Sequence, residues 1–258
     1  RPTVTGKRFT GRGCAHLAKY WLIGHNHWGE LLQTSAEAPM QPELLLFDIG
    51  NTSIKIGLAH ERQVLTSYTL RTDVGQTADN LGLSLIALLG HAGVAPQSLK
   101  ACVASSVVPG FDPLLREAVS RYVDCPLLCI GTDLPVPLEN RYERPGEVGA
   151  DRLVGAYAAR RMYPESPSIL VVDFGTAVTF DVIGPQCTYV GGVIAPGLAS
   201  MGDYLERNTA LLPAIDPQEP SRVIGTSTVE AMQSGAVYGY RGLVKEILAR
   251  LEGELGVR

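Results

Sequence analysis

The chain has 258 residues, of which 45% are apolar and 19% charged, and its formal net charge at pH 7 is −4. This composition is typical of a globular protein, and the negative charge argues against general nucleic-acid binding. No apolar run reaches the roughly 18–20 residues that a membrane helix needs, and the five cysteines are scattered, which favours a reducing compartment. We therefore expect a cytoplasmic protein that binds neither nucleic acid nor membrane.

The first 39 residues differ in composition from the rest. They contain both tryptophans and three of the five histidines, and Met40 stands just before a clear strand pattern. We predict that residues 1–39 form an unstructured leader outside the fold. A metal site is disfavoured there, because common zinc spacings are not matched by the candidate ligands Cys14, His16, His25 and His27.

From Met40 onward, apolar patterns alternate with turn residues and predict a regular α/β arrangement. Strands are predicted at 44–49, 54–59, 63–70, 98–105 and 127–130, and helices at 78–91 and 113–122. A link rich in proline and charge, 135–147, then leads to a helix at 151–162.

The opening pattern recurs after that helix. Strands are predicted at 169–173, 177–183 and 189–195, and helices at 198–208 and 228–251. The motif Asp48-x-Gly-x-Thr and the shorter Asp173-x-Gly-Thr follow equivalent first strands of this internal duplication. We infer two related α/β domains, 40–150 and 151–258, with each aspartate facing a shared cleft.

The paired turns are suited to phosphate chemistry. Gly50 lets a phosphate approach the backbone closely, and the turn amides and the Thr52 hydroxyl can contact its oxygens. Lys55 adds a positive charge, and Asp48 can hold Mg²⁺ directly or through water. A single such turn is more often a plain β-turn, but two copies in equivalent places favour a nucleotide site.

Rival catalytic motifs are absent from the sequence. There is no Gly-x-x-x-x-Gly-Lys-Ser/Thr, and no Gly-x-Gly-x-x-Gly follows a strand. The histidines after residue 39 are His60 and His91, in a turn and at a helix end. Proton transfer in the core must therefore rely on carboxylates.

Six stretches carry a resemblance to one family. They are DIGNTSIK (48–55), SSVVP (105–109), EVGADR (147–152), DFGTAVT (173–179), GGVIAPG (191–197) and IGTSTVEAM (224–232). From about residue 44 to 251 the chain resembles type III pantothenate kinases, in the superfamily of acetate and sugar kinases, heat-shock chaperones and actin. The resemblance implies two tandem ribonuclease H-like (actin-like ATPase) domains with a nucleotide cleft between them.

The resemblance also implies a reaction and its residues. ATP would phosphorylate the primary hydroxyl of pantothenate, the first step of coenzyme A synthesis, in a homodimer. Asp151 would be the general base, Thr176 would contact ATP, and Asp173 would bind potassium or ammonium. The first phosphate loop would comprise Asp48, Ile49, Gly50, Asn51, Thr52, Ser53, Ile54 and Lys55. Pantothenate would be held by Tyr142, Gly149, Ala150, Asp151, Arg152 and Thr228.

Physical interpretation of the substrate residues leaves alternatives open. Arg152 can bind both oxygens of a carboxylate near a helix start, but it could equally be a solvated residue there. Tyr142 also fits a packed linker aromatic, and Thr228 also fits the N-cap of a helix. Gly191-Gly192 and Pro196-Gly197 indicate either close backbone approach or plain turns.

Two further expectations concern function and completeness. The alternatives to the kinase are a non-catalytic ATP-binding regulator of the same fold and a kinase for another small hydroxy acid. Both aspartate turns, Asp151 and Arg152 are retained, which favours an enzyme. No strand-helix-strand follows helix 228–251, so we expect a second domain that is incomplete at its C-terminus, with impaired activity.

Overall fold

Two five-stranded sheets form the core of the computed structural model, which describes residues 21–23 and 40–256. The strands are β1 (Trp21–Ile23), β2 (Leu44–Ile49), β3 (Ser53–His60), β4 (Gln63–Arg71), β5 (Ala101–Ser106), β6 (Leu127–Cys129), β7 (Glu139–Asn140), β8 (Ile169–Phe174), β9 (Ala177–Gly184) and β10 (Thr188–Pro196). The α-helices are α1 (Ala78–His91), α2 (Asp112–Ala118), α3 (Ala150–Met162), α4 (Leu198–Asn208) and α5 (Thr228–Glu254). None of the described helices combines the length and apolar composition that a membrane span requires.

The first sheet has the strand order β4-β3-β2-β5-β6. β3 is antiparallel to both of its neighbours, whereas β5 pairs parallel with both β2 and β6. Parallel pairing needs crossover connections, and α1 and α2 provide them. Leu81, Leu85 and Leu89 recur at helical spacing on α1 and are buried in the core of this sheet. The mixed α/β architecture predicted for the first half is therefore present.

The second sheet has the order β1-β8-β9-β10-β7 and repeats the antiparallel run of the first. Ile169 and Val171 of β8 belong to a core that α3 covers. Leu170 and Val172 belong to a second core, which α4 and α5 cover. Because β8 is covered on both faces, its sequence is a continuous apolar run rather than an alternating one.

Most predicted elements are confirmed with boundaries within a few residues, and α1 and α4 have the predicted bounds. The strand predicted at 98–105 begins instead at Ala101, because Pro96–Ser98 forms a 3-10 turn. The helix predicted at 113–122 is α-helical only as far as Ala118 and continues as a π-helical turn, Val119–Val123. The short strand β7 was not predicted, and it lies within the proline-rich link.

The structure differs from the expectation of an unstructured leader at three residues. Trp21–Ile23 form β1, which pairs parallel with β8 so that Leu22 lies opposite Val172. In the first sheet, the corresponding edge of β2 is taken by β5. An open strand edge presents unpaired N–H and C=O groups, so pairing with an extended segment is favourable. The considered metal ligands lie outside the described residues, namely Cys14, His16, His25 and His27.

Candidate active site

The two Asp-Gly-Thr turns meet in the structure. Thr52 Oγ1 lies 2.8 Å from Thr176 Oγ1, although the residues are 124 positions apart. Each turn is closed in the same way: the N–H groups of Gly50 and Gly175 donate to a carbonyl of the returning strand, over 3.0 and 2.9 Å. Both aspartates therefore stand at the carboxyl ends of first strands beside one site, as the duplication predicted.

Thr72, which follows β4, fixes the first turn. Its hydroxyl donates to Gly50 O at 2.6 Å, and its N–H donates to Thr52 O at 3.0 Å. Asn51 and Thr52 are exposed at the tip of the turn, where phosphate oxygens can reach hydroxyl and amide donors. The sequence did not indicate Thr72, because its role depends on how β4 aligns with β3.

Asp48 and Lys55 form an ion pair beside this turn. They lie opposite each other on β2 and β3, and Lys55 Nζ is 3.4 Å from Asp48 Oδ2. Both side chains are about half exposed, so the pair is weak and can rearrange around a ligand. Ile49 and Ile54 have side chains buried in the core, so only their backbone can contact a nucleotide.

Asp151 lies in the first turn of α3. Its Oδ1 accepts a hydrogen bond from the Arg152 N–H at 2.8 Å. Gly149 leaves room for this carboxylate, since a Cβ there would lie 2.4 Å from Asp151 Oδ1. Burial raises the pKa of Asp151, and the charges of Asp48 and Asp173 raise it further, against the lowering effect of that hydrogen bond. A carboxylate with raised proton affinity is suited to general-base catalysis.

Tight backbone packing fixes the second turn. Gly197 precedes α4 and donates its N–H to Thr176 O at 3.0 Å, and the Ser200 hydroxyl donates to the same oxygen at 2.6 Å. A Cβ on Gly197 would lie 2.1 Å from Gly175 O, so only glycine fits. This confirms the close backbone approach that was one of the two interpretations of Pro196-Gly197.

A buried ion pair anchors the Arg152 side chain. Its Nε donates to Asp181 Oδ1 at 2.8 Å, and the Tyr189 hydroxyl donates to the same oxygen at 2.7 Å. The Arg152 and Asp181 side chains are only 10% and 3% exposed. Burial disfavours the charged form of Arg152, but its hydrogen bond to Asp181 and that residue's charge outweigh burial and raise the pKa of the guanidinium. Arg152 is therefore not the solvated residue of the alternative interpretation.

Asp181 and Tyr189 were missing from the predicted site residues. The available signal is Asp181 itself, a single carboxylate inside the mostly apolar and largely buried strand β9. A buried carboxylate needs partners, but those partners come from α3 and β10. Only the folded arrangement identifies them.

The two remaining predicted substrate contacts have different surroundings. Tyr142 packs at the edge of this cluster, with its ring centroid 6.3 Å from that of Tyr189. Thr228 lies in the exposed first turn of α5. Its predicted N-cap role is wrong by one residue, because Ser227 Oγ accepts the Glu230 N–H at 3.2 Å. Within the described part of the chain, Thr228 makes no hydrogen bond to the other predicted pantothenate contacts.

Comparison with known proteins identifies relatives over most of the chain. A family model described as type III pantothenate kinase matches residues 44–250. A type III pantothenate kinase of Desulfovibrio desulfuricans is 66% identical over 218 residues, which are 84% of this chain and 82% of the relative. A protein of the same name from Akkermansia muciniphila is 68% identical over 217 residues, 83% of this chain and 82% of the relative.

Proposed function

The chain belongs to the type III pantothenate kinase family, and from this membership we infer that it transfers a phosphoryl group from ATP to pantothenate, the first step of coenzyme A synthesis. The observation that carries the inference is the contact between the turns of Thr52 and Thr176, with Asp151 within reach of the aspartate charges of both. Phosphoryl transfer depends mostly on placement and charge, and this arrangement supplies both.

The first turn binds the phosphates of ATP. Lys55 supplies a positive charge, and the Thr52 and Thr176 hydroxyls stand 2.8 Å apart as donors from the two halves. Within the described residues, no group of three or more His, Cys, Asp or Glu side chains forms a ready-made metal site. The single carboxylate of Asp48 fits Mg²⁺, which proteins often hold through one or two carboxylates together with substrate phosphates. When bound, Mg²⁺ neutralises charge that develops on the phosphates.

Asp151 acts as the general base. The primary hydroxyl of pantothenate gives its proton to the Asp151 carboxylate as its oxygen bonds to the terminal phosphorus. The bond from that phosphorus to the bridging oxygen breaks, and ADP leaves with the electron pair. The raised pKa of Asp151 suits this step, because a stronger base takes the proton more readily.

Pantothenate lies beside the start of α3. Gly149, Ala150 and Arg152 contact it there, with Arg152 serving the carboxylate. Tyr142 lines the same region, and Thr228 contributes from α5. This assignment is supported by the packing of Tyr142 on the Tyr189 cluster and by the buried, charged state of Arg152.

Finer features of the proposal concern the cation and the assembly. Asp173 holds a monovalent cation, potassium or ammonium, which offsets the repulsion between its carboxylate and the ATP phosphates. The position paired with Asp173 on β9 is Thr179, whereas Asp48 faces Lys55, so the two turns differ in local charge. The enzyme acts as a cytoplasmic homodimer without nucleic-acid partners, and the free cysteines of the described chain fit a reducing compartment.

The test is ATP-dependent phosphate transfer to pantothenate in potassium buffer. Asp151→Asn should lower kcat by roughly 100-fold or more, the usual contribution of a general base. Asp124→Asn is the matched control, because it changes a carboxylate between the π-helical turn and β6, at a left-handed position that asparagine tolerates. ATP binding without turnover would instead identify a regulator, and transfer only to another hydroxy acid would change the substrate.

A further inference from the structure

The buried carboxylate of Asp181 accepts hydrogen bonds from three side chains. Its Oδ1 accepts hydrogen bonds from Arg152 Nε and from the Tyr189 hydroxyl, and its Oδ2 accepts one from Thr179 Oγ1 at 3.2 Å. These donors come from α3, β10 and β9. The carboxylate therefore joins one helix and two strands at a single point.

The contact occupies only one edge of the Arg152 guanidinium. A guanidinium carries its five N–H groups in a rigid planar fork, so it offers one edge at Nε and Nη2 and another at its two Nη atoms. Asp181 Oδ1 lies 2.8 Å from Nε and 2.6 Å from Nη2, on the first edge. Nη2 is buried and makes this 2.6 Å ion-pair contact with Oδ1, which leaves its other N–H and the N–H groups of Nη1 for the second edge. The second edge thus keeps donor capacity.

Gly192 on β10 makes room for this arrangement. A Cβ there would lie 2.9 Å from Arg152 Nη2 and 2.0 Å from Phe180 O. The preceding Gly191 has φ +146°, and the pairing with β9 shifts its register at this bulge. Bulges commonly redirect a strand beside a functional site. The Gly-Gly pair therefore lets the guanidinium lie directly against the strand.

We propose that Asp181 is a positioning residue that fixes one edge of Arg152 so that the other edge receives the carboxylate of the substrate. The proposal rests on the proposed function, and it makes Asp181 the determinant of the preference for an acidic substrate. If the Arg152–Asp181 ion pair were purely structural, it would only hold α3 against the sheet. The unused second edge favours positioning, because the Arg152 side chain is only 10% exposed and donors in such surroundings are normally satisfied in the complete complex.

The experiment compares pantothenate with pantothenol, in which a hydroxymethyl group replaces the carboxylate. In Asp181→Asn, we expect kcat/KM for pantothenate to fall by about tenfold or more, mainly through KM, since the guanidinium loses the charge-assisted hydrogen bond that fixes it. The value for pantothenol should fall by less than about threefold, and KM for ATP should stay unchanged. Asp181→Glu should recover part of the lost preference.

Tyr189→Phe tests the proposal even where Asp181→Asn folds poorly. It removes one hydroxyl from the Asp181 carboxylate and should reduce the preference for pantothenate by a smaller factor. Tyr122→Phe is its matched control, because that hydroxyl also donates to a carboxylate at 2.7 Å, that of Asp79 in the first turn of α1.

Several results would overturn the positioning role. One is an equal loss of kcat/KM for pantothenate and pantothenol in Asp181→Asn, and another is a wild-type enzyme with equal kcat/KM for the two compounds. A third is a Tyr189→Phe variant that prefers pantothenate as strongly as Tyr122→Phe does. Wild-type protein that phosphorylates neither compound would instead remove the proposed function itself.

Discussion

The two hairpins at the site share a backbone design and differ in charge. In both, the N–H of the turn glycine donates a hydrogen bond to the returning strand. The threonine hydroxyls of the two turns lie within hydrogen-bond distance of each other. The residue paired with Asp48 is Lys55, whereas the residue paired with Asp173 is Thr179. The duplicated turn thus keeps its geometry while the neighbouring side chain changes. Under the proposed function, the first hairpin serves the phosphates, and the second contributes Thr176 to them and Asp173 to a cation.

The sheets around the hairpins differ in a second way. β2 takes its parallel neighbour, β5, from the chain that follows it, and one core covers that sheet. β8 pairs instead with β1, a segment from far earlier in the chain, and has a core on each face. The local sequence pattern therefore determines each hairpin. The strand that pairs with the other edge of the hairpin's first strand can come from a distant part of the sequence.

The largest expected effect comes from removing the charge that distinguishes the first hairpin. Lys55→Met should lower kcat/KM for ATP by roughly 100-fold, because a placed charge at the phosphates stabilises the transition state. Lys100→Met is the matched control: Lys100 also pairs with a carboxylate, that of Glu43, away from both turns. Steady-state kinetics at varied ATP concentration measure kcat/KM for the two variants. Equal activity of the two variants would mean that the hairpins do not differ in function.

The second hairpin should respond to potassium. Asp173→Asn should lower kcat/KM for ATP by about tenfold and reduce activation by potassium to within about twofold, because the cation loses its carboxylate. Asp48→Asn should also lower activity but keep the potassium response. Initial rates in sodium and in potassium separate these outcomes. Equal wild-type rates in the two salts would contradict the cation site.

The pH dependence tests whether both hairpins act on one base. Asp151 must be ionised to accept a proton, so kcat/KM should rise with pH through its pKa, which burial raises from the ordinary aspartate value. The charges of Asp48 and Asp173 raise that pKa further. Asp48→Asn or Asp173→Asn should therefore move the acid limb to lower pH.

Profiles of residual activity between about pH 4 and 8 measure this shift, since the ordinary aspartate pKa is about 3.9. Asp133→Asn, in the turn after β6 and paired with Arg116, is the control and should leave the limb in place. A limb that moves with only one of the two site variants would show that one hairpin is remote from the base.

The sequence predicted the elements well because their signals are local. The apolar run of β8 and the periodic leucines of α1 are visible in short windows, and so are the two turns. The buried network was missed because Arg152, Asp181 and Tyr189 are brought together by packing of α3 on the sheet. Non-local pairing also explains why β1 was not expected, since three residues carry too little pattern to predict a strand.

The smallest expected effect concerns the contact between the hairpins. The Thr52 and Thr176 hydroxyls are exposed and 2.8 Å apart, so their hydrogen bond competes with water. A double-mutant cycle of Thr52→Val and Thr176→Val should give a coupling of about 0.5–1 kcal/mol in the free energy of unfolding. Chemical denaturation without nucleotide measures it in the two single variants and the double variant. A coupling of zero would mean that the turns do not meet until ATP lies between them. The similarity of the two hairpins would then matter for nucleotide binding alone, with no part in holding the free protein together.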